Sequence, residues 1–191
     1  MVDTNEFWAG SFGDAYTKRN RVDWQSRIPF WKEMMEQTGA RSVHEIGCNA
    51  GWNLSAIQRA FPDILISGSD INEDALKLAT SVGLAVHAQK DVMTWFSMPV
   101  ELVFTAGVMI HVAPDELDQF IEDMIAMSSR FVLAIEYDAL IETEVLYRGH
   151  TGKLWKRPYG RRLENHGLTL ISKQDPGPGF DNCHAWLMEK P

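Results

Sequence analysis

Residues 43–51 read Val-His-Glu-Ile-Gly-Cys-Asn-Ala-Gly, with an acid at Glu45 and glycines at Gly47 and Gly51 on either side of Asn49. Glycine in a turn accepts positive φ and, lacking Cβ, lets a ligand approach the backbone closely. In a doubly wound sheet the first strand-turn-helix unit borders the ligand crevice. The spacing is not that of the dinucleotide fingerprint G-x-G-x-x-G, which would need glycines where Asn49 and Trp52 stand. Asp70 ends a second apolar run; an ionised carboxylate there can accept hydrogen bonds from both hydroxyls of a ribose, and its bland alternative is a charge at a helix N-terminus. His111 has the chemistry of a general base near neutrality, with a structural histidine as the alternative. Glu136, Tyr137 and Asp138 follow a later apolar run and can orient a second substrate.

These groups need elements to hold them. Ile28, Trp31 and Met35 recur at helical spacing, and Gly39 stands where a helix C-cap is wanted. Residues 42–46 read as a strand, 52–60 as a helix ending before Pro62, and 64–70 as a second strand, with Asn72 an N-cap for the next helix. Strands follow at 84–88, 101–105 and 130–136; between the last two, Pro114 opens a helix with an apolar stripe of Leu117, Phe120, Ile121, Met124 and Ile125. Strands separated by helices require parallel crossovers, so an α/β fold is expected, with a mostly parallel sheet covered on both faces. Residues 168–171 and 184–188 flank Pro-Gly-Pro-Gly with no helix between, which predicts an antiparallel pair at the sheet edge.

The 191 residues, 45% hydrophobic with seven Trp, suffice for a single domain spanning 1–191. There is no apolar run of membrane-spanning length and no signal-peptide pattern at the start, so a cytoplasmic protein is expected. Cys48 and Cys183 make neither a disulfide framework nor a zinc site, and no metal is expected. A net charge of −8 argues against a broad nucleic-acid footprint. Residues 148–173 nevertheless hold seven Lys/Arg and one acid, either as a solvated face or as a site for an anionic acceptor through Arg148, Arg157 and Arg161. Oligomeric state is not legible.

The E-x-G-x-x-x-G run of Glu45, Gly47 and Gly51 resembles the first motif of class I methyltransferases, whose cofactor is S-adenosyl-L-methionine. More narrowly, Trp8-x-x-x-Phe12-Gly-x-x-Tyr16-x-x-Arg19-Asn20, Glu-Ile-Gly-Cys-Asn-x-Gly, and residues 107–111 resemble methyltransferases associated with pseudaminic acid biosynthesis, over nearly the whole chain. The resemblance implies a three-layer Rossmann-like fold with a seven-stranded sheet and an antiparallel C-terminal hairpin. It further implies a helical cap over 1–40 and a body over 41–191. It places Tyr16, Arg19, Asn20, Glu45, Gly47, Asn49, Gly51, Asp70, Ile71, Asp91, Val92, Gly107 and His111 around the cofactor, with Asp91 and Val92 at the adenine edge and Glu45 towards the methionine end. His111 and Tyr16 are the candidate catalytic groups. Trp8, Phe12 and Tyr16, four apart, line one face of a helix that either packs in the core or excludes water from the site. Thr105-Ala106-Gly107-Val108 lacks the Asn/Asp-Pro-Pro-aromatic run used on base amines, which leaves a small, anionic acceptor such as a nucleotide-activated sugar. An NAD-dependent oxidoreductase and a non-catalytic S-adenosylmethionine-binding module are the rival classes.

Overall fold

Strand β1 (Ser42–Ile46) is the centre from which the sheet grows in both directions, to β2 (Leu65–Asp70) on one side and β4 (Val100–Ala106) on the other, each pairing in parallel. Beyond β2 lies β3 (Val86–Ala88), and beyond β4 lies β5 (Ser128–Glu136), again parallel. The computed structural model describes residues 4–88 and 99–191. The seven-stranded order is β3-β2-β1-β4-β5-β9-β8, in which β8 (Thr169–Gln174) and β9 (His184–Glu189) form an antiparallel hairpin. β9 also runs antiparallel to β5. The hairpin expected at the edge is there, with its later strand inserted between β5 and β8.

Alternation along the central strands divides the interior in two. Leu102 and Phe104 of β4, with Phe131, Leu133 and Ile135 of β5, face one core; Val103, Val132 and Ala134 face the other. The first core is covered by α3 (Ile28–Thr38), where Phe30, Trp31, Met34 and Met35 are buried, and by α4 (Trp52–Ala60). α5 (Glu73–Ser81) adds Ala79 to the same side. The second core is covered by α6 (Leu117–Met127), through Leu117, Ile121 and Met124, and by α7 (Tyr159–Asn165). Three layers result, as a sheet with two apolar faces requires.

Local chemistry explains several boundaries. Gly39 ends α3 in the left-handed conformation with φ 63°, and the Asn72 side chain accepts the Ala75 amide at the start of α5. Pro114 lies in a turn rather than opening a helix: the Glu116 amide bonds the Ala113 carbonyl, and α6 begins at Leu117. The N-terminal segment is two helices, α1 (Thr4–Ala9) and α2 (Ser11–Arg19), separated at Gly10. The Trp8 ring still stacks edge-on against both Phe12 and Tyr16, at 5.3 Å in each case. Residues 139–167, for which the sequence indicated no elements, carry α7 and a small antiparallel pair, β6 (Thr143–Glu144) with β7 (Trp155–Lys156). Among the described residues, no helix is long and apolar enough to cross a membrane.

Phe104 is fully buried on β4, its ring 4.5 Å from Trp31. Phe104→Ala is expected to remove about 3–5 kcal/mol of stability by emptying the centre of the first core, a loss read from the urea unfolding midpoint. A loss below about 1 kcal/mol would contradict this packing.

Candidate active site

At the carboxyl ends of β1, β2 and β4, where strand order reverses, lies a cavity of about 570 Å³. Tyr16, Asn20, Glu45, Gly47, Asn49, Asp70, Ile71, Gly107 and His111 all line it. The β1–α4 turn explains how. The Gly47 and Cys48 amides both donate to the Ser69 carbonyl, at 2.7 and 2.9 Å, folding the turn over the end of β2. Gly47 has φ 72° and a Cβ there would collide with Val108; Gly51, at φ 79°, would likewise strike Leu84. Asn49 shares the left-handed conformation at φ 46°. Its side chain holds the Ala50 amide at 2.8 Å and donates to Thr17 of α2 at 3.1 Å. Gly51 therefore shapes the turn from behind and is not on the cavity wall.

Three carboxylates are buried around this crevice. Asp70 accepts the Asn49 amide at 2.7 Å on one oxygen and the Asn72 amide at 2.8 Å on the other; burial raises its pKa against those hydrogen bonds. Glu45 accepts from Asn53 Nδ2 at 2.6 Å through Oε1, while Oε2 is buried without a partner; burial pushes its pKa up to about 8. Asn53 in turn accepts from Arg27 at 2.8 Å and from the Trp31 indole at 3.2 Å. Arg27 also donates twice to the Gly179 carbonyl and lies over the Phe180 ring at 4.5 Å. Glu136 turns inward from the end of β5 instead of facing a substrate. It accepts from Thr105 Oγ1 at 2.9 Å and from the amides of Val108, Met109 and Ile110, and burial raises its pKa to about 7.

Glu136 thereby fixes the short 3-10 turn Met109–His111. Arg157 braces the same turn from below, donating to the Met109 and Val112 carbonyls at 2.9 Å and to Glu142 at 2.8 Å. Arg157 is fully buried and off the cavity, so it does not stand where an acceptor-binding cation is needed; a guanidinium buried that deeply must spend its donors internally. Arg161 is exposed on α7, away from the cavity, and Arg19 stacks outside it on Phe12 and Tyr16, at 5.0 and 5.5 Å. Arg148 lies on a smaller, adjoining cavity. Of the remaining expected groups, Tyr137 also lines the smaller cavity, Asp138 pairs with Lys173 at 2.7 Å, and Asp91 and Val92 lie outside the described residues.

The His111 ring donates from Nδ1 to the Lys153 carbonyl at 2.6 Å, since a carbonyl can only accept; Nε2 is left with its lone pair. Burial lowers the His111 pKa to about 4, so the ring is neutral at physiological pH and weakly basic. Burial similarly raises Tyr16 to about 12, which makes it a donor and not a base. Trp8, at 4.4 Å, and Tyr147, at 5.0 Å, close over the His111 ring from α1 and from the β6–β7 loop.

Arg27 and Asn53 carry no motif and were not singled out in the sequence. Asn53 did leave a trace, as a polar residue in the buried stripe Asn53, Ala56, Ile57 of α4.

No protein-family model matches the sequence, and no curated protein matches it. Solved structures do. The magnesium protoporphyrin IX methyltransferase of Synechocystis PCC 6803, with bound SAH, superposes with a TM-score of 0.74 over 98% of both chains at 12% identity. The class I methyltransferase fold is established. The sugar N-methyltransferase KedS8 of Streptoalloteichus gives 0.69 at 13% identity, covering 95% of this chain and 93% of its own. An S-adenosylmethionine-dependent methyltransferase from Clostridium acetobutylicum gives 0.67 at 12%, with coverage of 94% and 97%.

Glu45 supplies a test of the buried network. Its folded pKa of about 8 exceeds its ordinary value of 4.5, so the folded state holds the extra proton between those values. Its contribution to stability is then fully present below pH 4.5 and is lost as pH rises towards 8. Glu45→Gln should flatten that part of a urea-unfolding pH profile and be relatively more stable at the alkaline end; an unchanged slope would place the proton elsewhere.

Proposed function

We propose that the chain is an S-adenosylmethionine-dependent methyltransferase acting on a small acceptor, with residues 1–40 forming a cap over the body at 41–191. The observation that carries this reading is the chemistry of the large cavity's wall. Glu45 Oε2 and the indole N–H groups of Trp8 and Trp52 are buried without partners, and all three residues line the cavity. Buried polar atoms are normally satisfied, so a carboxyl oxygen and two indole N–H groups without partners, in residues that line one cavity, suit a polar ligand.

The residues fit the proposed cofactor. Asp70 has lone pairs beyond those used by the Asn49 and Asn72 amides, and these suit ribose hydroxyls. Glu45 suits the ammonium of the methionine end, with Asn20 and Tyr16, which line the same cavity, supplying hydrogen bonds. The family resemblance alone assigns Asp91 and Val92 to the adenine edge. S-adenosylmethionine supplies an electrophilic methyl group on a sulfonium.

The chain's own work is to position an acceptor in line and keep water out. Trp8 lines the larger cavity and Tyr147 the smaller, and their rings, 6.1 Å apart, meet beside His111. His111 belongs to both cavities, and its unprotonated Nε2 suits a hydrogen bond from the acceptor at the boundary. The narrower likeness to methyltransferases associated with pseudaminic acid biosynthesis agrees with a small, charged acceptor. The solved neighbours named above act on acceptors as different as a porphyrin and a sugar, so the acceptor must be read from this chain's own pocket.

Calorimetry should find binding of S-adenosylmethionine and S-adenosylhomocysteine and none of NAD; NAD binding alone would reverse the assignment. Asp70→Asn is expected to weaken either ligand by about tenfold or more, the scale of a lost charged hydrogen bond. At pH 7, pairing Glu45 with a cation should release its proton, making the binding heat depend on the buffer's ionisation enthalpy. Glu45→Gln should abolish that dependence.

A further inference from the structure

The smaller cavity, about 260 Å³, shares Tyr16, Asn20, Arg27, Gly107 and His111 with the larger one, so the two meet along His111. Its floor is apolar, made by Ile110, Ile135, Leu154 and Phe180. Its rim carries opposite charges, Arg148 from the β6–β7 loop and Asp181 from the β8–β9 loop. Among the described residues, the only non-glycine positions with positive φ are Asn49, Arg148 and Asp181, at 46°, 50° and 49°. All three line one or other cavity. Arg148 and Gly149 are the two central residues of a hairpin turn closed by the Tyr147–His150 backbone pair, and that turn, which requires positive φ at both, sets where Arg148 stands on the rim.

The rim's charges are largely uncommitted. Among the described residues Arg148 makes no side-chain hydrogen bond or ion pair, and Asp181 accepts one hydrogen bond, from the Tyr137 hydroxyl at 3.4 Å, and interacts with the Arg27 charge across the cavity. Arg27, the second guanidinium facing this space, is spent on Gly179 and Asn53. A plain dianion would meet Asp181 unfavourably, and a plain amine would leave Arg148 unmatched. Resting on the methyl-transfer reading above, we propose that this cavity takes a small acceptor carrying both an amine and an acidic group, the amine directed to Asp181 and Tyr137 and the acid to Arg148.

The chemistry agrees with the boundary residue. An alcohol needs a competent base, whereas a neutral amine already has its lone pair, and His111 is buried and weakly basic. The amine, having lost its ammonium proton to water, forms the N–C bond to the methyl group. The C–S bond breaks with its electron pair remaining on sulfur, and the positive charge moves from sulfur to nitrogen. The surplus N–H proton then leaves to water. With the amine directed to Asp181, that carboxylate stabilises the charge as it develops on nitrogen.

The test uses the full chain saturated with S-adenosylhomocysteine and measures binding by calorimetry. Three matched sets serve as probes: phenylalanine, phenyllactate and phenethylamine; serine, glycerate and ethanolamine; glucosaminate, gluconate and glucosamine. In at least one set the member with both groups should bind about tenfold or more tightly than the members lacking either, as expected when a missing partner strands a polar group. Asp181→Asn and Arg148→Asn suit the backbone, because Asn tolerates the left-handed region. The first should abolish the preference over the hydroxy acid and the second the preference over the amine that lacks the acid, with S-adenosylhomocysteine affinity held within about twofold. Absence of that preference in every set, or its survival in Asp181→Asn, overturns the acceptor class while leaving the donor site standing. Failure of S-adenosylhomocysteine to bind in the first titration overturns both.

Discussion

A carboxyl group taken out of water must find hydrogen-bond donors or keep its proton, and this site is built on three that have been taken out of water together. Asp70, Glu45 and Glu136 stand at or near the carboxyl ends of β2, β1 and β5, and each recruits a different part of the chain. Asp70 gathers the amides of Asn49 and Asn72; Glu45 gathers Asn53 and, through it, Arg27 and Trp31. Glu136 gathers the turn that ends at His111. The crevice is thus shaped by electrostatic necessity acting on flexible connections, while the apolar strands only decide where the carboxylates stand.

The same principle ties distant parts of the chain to the site. Asn72 caps α5 with its oxygen and with its nitrogen reaches Asp14 and the Trp8 carbonyl, which docks α1 and α2 on the sheet. Arg27 links the start of α3 to the Gly179 carbonyl in the loop before β9. Arg157, from the opposite end of the fold, supports the His111 turn against Glu142. The cationic run of the sequence is mostly committed in this way: Arg162 pairs with Asp118 and Glu142, and Lys173 with Asp138.

Much of this was legible in residue order. Strand periodicity, Gly39, Asn72 and the Glu45–Gly51 turn are local signals, and local signals survive into the structure because they act within a few residues of themselves. Pairing over long separations left no such mark. Nothing near Arg27 indicates Gly179, and nothing near Asp181 indicates Tyr137, because the sheet order that joins them is a property of the whole chain. Arg157 shows the opposite error. Its charge read as part of a solvated face or as an acceptor-binding cation, yet its surroundings supply enough acceptors to bury it.

The placement of β9 between β5 and β8 has a consequence for biosynthesis. During translation the parallel half of the sheet emerges first, leaving β5 with an open edge and the apolar residues Phe131, Val132, Leu133, Ala134 and Ile135 beside it. That edge is covered only when residues 184–189, which follow every other strand of the sheet, leave the ribosome. Until then the nascent chain presents a template for pairing with other chains. A ribosome that stalls before His184 would release a sticky half-sheet instead of a merely shortened protein.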